Sequence, residues 1–179
     1  MSKGFSYIVK KSFGMRQEMS MGFYITDFLF RKIFRQNAKV GWAVHHTSTI
    51  HAPEKIIRGK NVYPGDSPGV YINANNGVYI GDYTNIGPNV GIISSNHDAV
   101  NNDMQVQEAP VHVGAHCWMG MGAIILPGVS LGDFTIVGAG AVVTKSFPDG
   151  YCVIAGNPAT VIKQLNRQEC EDFAEGRKQ

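Results

Sequence analysis

The chain has 179 residues and a net charge of only +2, so it reads as one domain without the strong basic field that attracts nucleic acid. Apolar residues make up 44%, which excludes wholesale disorder; charged residues are 17%, below the usual share of about 25%, while glycine is abundant at 21 residues. Three cysteines (Cys117, Cys152, Cys170) without metal-like spacing argue against a disulfide framework and for a reducing, cytoplasmic setting.

The N-terminus carries Lys3, Lys10, Lys11 and Arg16 but no long apolar run or small-residue cleavage site, so no signal peptide is expected. No stretch approaches the roughly 20 apolar residues of a membrane span. Residues 19–36 place Met21, Ile25, Phe28, Leu29, Ile33 and Phe34 on one face, with Arg31, Lys32 and Arg35 between them. This is an amphipathic helix. It is expected to cap an open end of the fold or to pack on a neighbouring subunit; a helix lying on a membrane surface has the same pattern.

From Val44 the chain adopts a six-residue beat. Val44, Ile50, Ile56 and Val62 stand six apart, Pro68 and Ala74 continue it weakly, and Ile80, Ile86 and Ile92 resume it. The beat is strictest downstream, at Val113, Met119, Ile125, Leu131, Val137 and Val143. Small or β-branched residues (Cys117, Ala123, Val129, Thr135, Ala141) follow four places later, and Gly114, Gly120, Gly132 and Gly138 one place later. The interval from Ile92 to Val113 is not a multiple of six, so 94–111 is expected to be an insertion. Neither the helical period of 3.6 nor the strand period of 2 explains this. Three strand-plus-turn units of six close a triangular coil of about 18 residues, whose stacked turns bury the aliphatic columns. An ordinary β-sandwich has no reason to keep such a register. Glycine, Asn73, Asn75, Asn76, Asn85 and Asn89 are expected at the corners, in conformations with positive φ.

The expected division is a helical cap at 1–40, the coil at 41–158 and a helical tail at 159–179, with the second helix over about 160–175.

The pattern resembles the hexapeptide-repeat acyltransferases over about residues 44–163. The most specific stretches are Asn96-His97-Asp98, Cys117-Trp118-Met119-Gly120, Ile125-Leu126-Pro127-Gly128-Val129, the run Val137 to Lys145, and Ala155-Gly156-Asn157-Pro158-Ala159. The nearest branch is the maltose, galactoside and polysaccharide O-acetyltransferases. The resemblance implies an all-β fold, a left-handed parallel β-helix, with the N-terminal helical segment, the insertion and the C-terminal helix as additions.

His97 suits a general base, because imidazole titrates near neutrality and can take the acceptor proton and return it to a leaving thiolate. No covalent nucleophile is required if both substrates are held in register. It also matches the catalytic histidine of the family. By the same resemblance the donor is acetyl-CoA, contacted at Trp118, Gly120, Met121, Ala139, Thr144 and Lys145. Relatives often have a basic residue where Thr160 stands, with Lys163 the nearest substitute. Counted back along the repeat from His97, Asn75 matches a position that the resemblance to sugar acetyltransferases implies touches the acceptor, and Tyr79, 18 residues before His97, is expected to stack one coil away from it. Asn96 and Asp98 are candidates to orient His97 or shape its loop, Asn96 also to meet the acceptor.

Family sites form between the subunits of a trimer, and Ile92, Ile93 and Ile124 are candidates for the mating face. The expected activity is acetyl transfer to a hydroxyl of a sugar or polysaccharide precursor. The alternatives are N-acetylation of an amino sugar and, from another class, a metal-dependent carbonic-anhydrase-like enzyme using His97, His112 and His116. The spacing of those three histidines does not match that metal site, so no metal is expected. His45, His46 and His51 look like exposed or capping groups.

Overall fold

The computed structural model describes residues 3–12 and 15–177; 1–2 and 13–14 of the expected cap and 178–179 of the expected tail lie outside it. Alternation within short strands sets the layers. Val78 and Ile80 turn inward while Tyr79 between them faces out, and Val111-His112-Val113 repeats the pattern.

These strands form three sheets, the three faces of a prism. The first face contains Thr49–His51, Tyr71–Asn73, Gly91–Ile93, Ile124–Ile125 and Val142–Val143. The second contains Ile56–Arg58, Val78–Ile80, Val111–Val113 and Ser130–Leu131. The third contains Asn85–Ile86, Trp118–Met119, Thr135–Val137 and Cys152–Gly156, closed by Ala159–Gln164. Every pairing except the last is parallel, and the chain visits the faces in turn. This is the left-handed parallel β-helix that the resemblance implied.

The registers explain the aliphatic columns. Ile50, Ile72, Ile92, Ile125 and Val143 stand over one another on the first face, and Ile86, Met119, Val137 and Ile154 on the third. All are buried. Each such side chain removed from water contributes about 1.5–3 kcal/mol, so the columns hold the coil together. Ile92 therefore faces the core and leaves the proposed mating surface, to which only Ile93 and Ile124 remain as half-buried candidates.

The beat is regular only downstream. His112 opposes Ser130 and Trp118 opposes Ile136, each three beats further along the chain. Upstream, Thr49 opposes Tyr71 and Tyr71 opposes Gly91, and both intervals overrun three beats. Pro68 is thus not in the inward column. The surplus on the first of these turns forms a widened corner at 61–69, with Gly65 and Gly69 at positive φ, and Val70 and Ile72 resume the burial.

The corners meet the expectation in part, with Gly77, Gly122, Gly128 and Gly140 at positive φ. Of the five asparagines only Asn89 has positive φ. The glycines one place after the aliphatic column serve close approach instead. A Cβ on Gly114 would lie 2.5 Å from the Asp133 nitrogen, and one on Gly120 2.7 Å from the Ala139 nitrogen. The left-handed conformation between the second and third faces falls on Tyr83, His116, Phe134 and Tyr151. Their rings stack into a ladder, with centroids 5.2, 4.8 and 5.5 Å apart, which offsets the cost of that conformation in bulky residues.

At the N-terminus, α1 (Lys3–Ser12) precedes α2 (Met21–Asp27), which runs on into a π-helical stretch, Phe28–Ile33. The Ser20 hydroxyl caps α2 by accepting from the Phe23 N–H at 3.0 Å. The expected apolar face of this segment does not turn toward the coil. Its inward side centres on an ion pair: Asp27 is buried, pairs with Arg31 at 2.7 Å and accepts from the Val44 N–H, while Arg31 donates to the Val40 carbonyl and the half-buried Phe30 ring packs 4.7 Å from His46. At the other end, the expected helix from 160 begins only after a strand. The β-branched run Thr160-Val161-Ile162 pairs antiparallel with Cys152–Gly156 and covers its open edge. Helix α3 (Arg167–Gly176) then starts at Asn166, whose side chain accepts from the Glu169 N–H.

Candidate functional site

The insertion leaves the coil between the first and second faces. Gly91–Ile93 and Ile124–Ile125 pair directly, although the chain between Gly91 and Ile124 is far longer than a regular turn of the coil. Two devices return the loop to the coil. The Asn76 side chain donates to the carbonyls of Ser94 and Val106 at 2.9 and 3.1 Å, clamping both limbs, and its backbone N–H donates to the buried Ser94 hydroxyl. Within the loop, His97 and Gln105 form an antiparallel bridge.

His97 is exposed on this hairpin, and its Nδ1 lies 2.6 Å from the Asn102 carbonyl oxygen. A carbonyl can only accept, so Nδ1 carries the hydrogen and Nε2 keeps its lone pair. Asp98 does not orient the ring. Its Oδ1 accepts from the backbone N–H groups of Val100 and Asn101 at 2.9 and 2.8 Å, which shapes the turn. Those N–H groups, Asn101's foremost, hold its carboxyl below the usual range. Asn96 is exposed beside His97, and its carbonyl accepts from the Val106 N–H. Asn75 lies at the same corner one turn below, where its side chain reaches the Gln105 amide oxygen at 3.5 Å.

The other expected residues divide between two places. Thr144 and Lys145, both exposed, sit at the same edge as His97, two turns further along. Gly120, Met121 and Ala139 sit at the edge between the third and first faces, where the Gly140 N–H donates to the Met121 carbonyl. Trp118 points out of the third face, half exposed, into a cleft that also holds Arg16, Tyr63, Asp66 and Asn85. Lys163 lies in the same row as Trp118, beyond Ile136 and Val153. One chain therefore does not bring His97 to Trp118; a full face of the prism separates their edges.

Tyr79 is not one turn from His97, because the insertion resets the count. Its ring stacks on His112 at 4.5 Å and 4°. The remaining histidines are engaged by rings: His45 with His46, His51 with Tyr71, and His116 in the ladder. His97, His112 and His116 occupy an edge loop, the second face and the next edge, and no group of three potential metal ligands gathers among the described residues. Sequence reasoning missed Asn102, Gln105 and Asn76. The first acts through a carbonyl, which no residue type announces. Asn76 lies 18 residues before Ser94, but the turn between them is longer than three beats, so the repeat count alone does not pair them.

A family model described as "Bacterial transferase hexapeptide (six repeats)" matches residues 110–145. A galactoside O-acetyltransferase from Lactococcus lactis is 34% identical over 130 residues, covering 67% of this chain. The chain spans only 61% of that relative's length. A galactoside O-acetyltransferase from Escherichia coli is 30% identical over 152 residues, covering 80% of this chain and 70% of that one. A crystal structure of a maltose O-acetyltransferase from Clostridium difficile superposes with a TM-score of 0.62 at 25% identity, covering 92% of this chain and 87% of that one.

Proposed function

The chain belongs to the hexapeptide-repeat transferases, and from that premise we propose that it is an acetyl-CoA-dependent acetyltransferase acting on a hydroxyl of a sugar or polysaccharide precursor. The observation that carries the reading is His97, set on an exposed hairpin with Nδ1 tied to a carbonyl and Nε2 available as a base.

In this reading Nε2 removes the proton from the acceptor hydroxyl as its oxygen attacks the thioester carbonyl. The C–O bond forms, the C–S bond breaks, and the proton passes to the departing thiolate. The Asn102 carbonyl fixes the ring and stabilises the transient imidazolium. Asn75 and Asn96 contact the acceptor from either side of the hairpin base. Trp118, Gly120, Met121 and Ala139 line the donor arm, and Thr144 with Lys145 meets its polar end. Gly120 is a point of close approach between two turns of the coil itself, so it keeps Ala139 stacked against Gly120 and Met121 in the proposed donor wall. His97 and Trp118 occupy separate edges, so the working site is completed between neighbouring subunits of a trimer, in keeping with a cytoplasmic enzyme.

The test is thiol release from acetyl-CoA against panels of sugars and amino sugars. An ester product that mild alkali returns to the starting sugar supports the proposal. An alkali-stable amide would replace it with N-acetylation, and turnover confined to carbon dioxide hydration would replace it with the anhydrase reading.

A further inference from the structure

The helical segment made of Met21–Asp27 and Phe28–Ile33 is turned inside out. Its buried side is the Asp27–Arg31 pair and its bonds to the Val40 carbonyl and Val44 N–H. Its outward side exposes Ile25 (58%), Phe28 (56%), Leu29, Ile33 (56%) and Phe34 (67%). Positions 25, 28, 29 and 33 form one stripe at helical spacing, and exposed Lys32 and Arg35 border it, with Lys39 just beyond. A segment that half-buries Phe23, Tyr24 and Phe30 beside its ion pair but leaves Ile25, Phe28, Leu29, Ile33 and Phe34 in water has a surface meant for something else.

Charge says what. Residues 1–40 contain eight basic and two acidic residues, a net of +6 in a chain whose total is +2. The net positive charge thus lies in the N-terminal 40 residues, with Lys32, Arg35 and Lys39 of it beside the apolar stripe, and the coil at 41–158 is net negative. We propose that this outward face docks on an anionic lipid surface, with Ile25, Phe28, Leu29, Ile33 and Phe34 entering the headgroup boundary and Lys32, Arg35 and Lys39 meeting lipid phosphates. An interfacial helix needs this combination of apolar stripe and basic border. A second copy of the chain is the less suitable occupant, because joining two such segments places like charges together. No helix among the described residues is long and apolar enough to cross a membrane, so the contact is peripheral.

The test is cosedimentation of the full chain with vesicles of phosphatidylcholine alone or mixed with phosphatidylglycerol. The wild type sediments with the mixed vesicles and is released by high salt. Lys32→Gln/Arg35→Gln/Lys39→Gln loses about 100-fold in partitioning, at the typical contribution per basic residue. Phe28→Ser/Ile33→Ser also loses binding, while both variants keep the wild-type circular dichroism and thiol-release rate on a soluble acceptor. Equal sedimentation on both vesicle types, or none on either, overturns the proposal. So does a fall of Phe28→Ser/Ile33→Ser to a smaller assembly by analytical ultracentrifugation without change in vesicle binding, which would assign the face to a second copy. The sedimentation and ultracentrifugation outcomes do not depend on the acetyl-transfer reading.

Discussion

The Nδ1 of His97 stands 2.6 Å from the carbonyl oxygen of Asn102, five residues further along the same hairpin. Because the partner is backbone, the ring is oriented by the shape of the loop and not by a neighbouring side chain. His97→Ala is expected to remain folded and to lose at least about 10²-fold in kcat, the low end for a general base. Steady-state kinetics alongside circular dichroism check this; unchanged turnover would remove His97 from the reaction.

Asp98 maintains that shape, which gives the loop a pH dependence. Its carboxyl is held down by the Asn101 and Val100 N–H groups. The depressed value means that its contribution to the loop is complete above the ordinary carboxylate range and lost as pH falls through the lowered value. Asp98→Ala is expected to lower kcat by about tenfold with little change in the donor KM, the size of a lost charge-assisted hydrogen bond. Asp98→Asn, which can still accept both bonds, restores much of the rate and removes the acid-side loss carried by this group. A pH–rate profile of the three proteins decides it.

Asn76 clamps the two limbs of the insertion through its amide. Asn76→Ala removes two hydrogen bonds at a half-buried site, a cost of about 1–3 kcal/mol, or about 2–10 °C in melting temperature. Calorimetry measures the stability. The same variant is expected to lose kcat, since Ser94 and Val106 anchor the strands that hold His97.

The glycines separate into two kinds that a melting experiment distinguishes. A Cβ at position 120 would meet the Ala139 nitrogen at 2.7 Å and the Val137 oxygen at 2.9 Å, whereas one at position 140 meets nothing within 4 Å but has φ of +67. Gly120→Ala is therefore expected to lower stability by at least about 2 kcal/mol through backbone displacement, and Gly140→Ala by only about 1 kcal/mol through local strain. Equal costs would mean that the turns can move apart at that corner.

The proposed sharing of the site between subunits predicts complementation. His97→Ala and Trp118→Ala homo-oligomers are each expected to be nearly inactive. Coexpressed with different tags and purified through both, the mixed assembly recovers part of the wild-type rate, because some interfaces pair an intact His97 with an intact Trp118. No recovery in a confirmed mixed trimer would place both residues' contributions within one subunit.

Burial pushes the Cys117 thiol up to about 12, and Cys152 is buried as well. Native protein treated with a disulfide reagent at neutral pH is expected to modify Cys170 alone, and Cys170→Ser to abolish the fast phase. Rapid labelling of Cys117 would indicate that the third face opens in solution.

The downstream coil was legible because Val113 to Val143 repeat without interruption, and a uniform period leaves one way to stack. Upstream, the widened corner at 61–69 breaks the count without breaking the apolar content, so Pro68 looked like a weak member of a column it does not join. The corners misled for a related reason. Asparagine tolerates positive φ, but in this coil the stacked rings of Tyr83, His116, Phe134 and Tyr151 hold that conformation in its place. Amphipathicity located the N-terminal helix but not its orientation, because the Asp27–Arg31 pair, four residues apart, is a tertiary clamp as readily as a surface pair. His97 was legible as a residue type. Its tether was not, since peptide carbonyls leave no mark in a one-letter string.

Ile92 rests against Ile125 as though nothing intervened, and the spiral is indifferent to what is spliced between them. Evolution can lengthen, shorten or exchange that excursion without reopening the packing of the rod. New side chains can then be tried at one corner while the stacked columns are inherited unchanged.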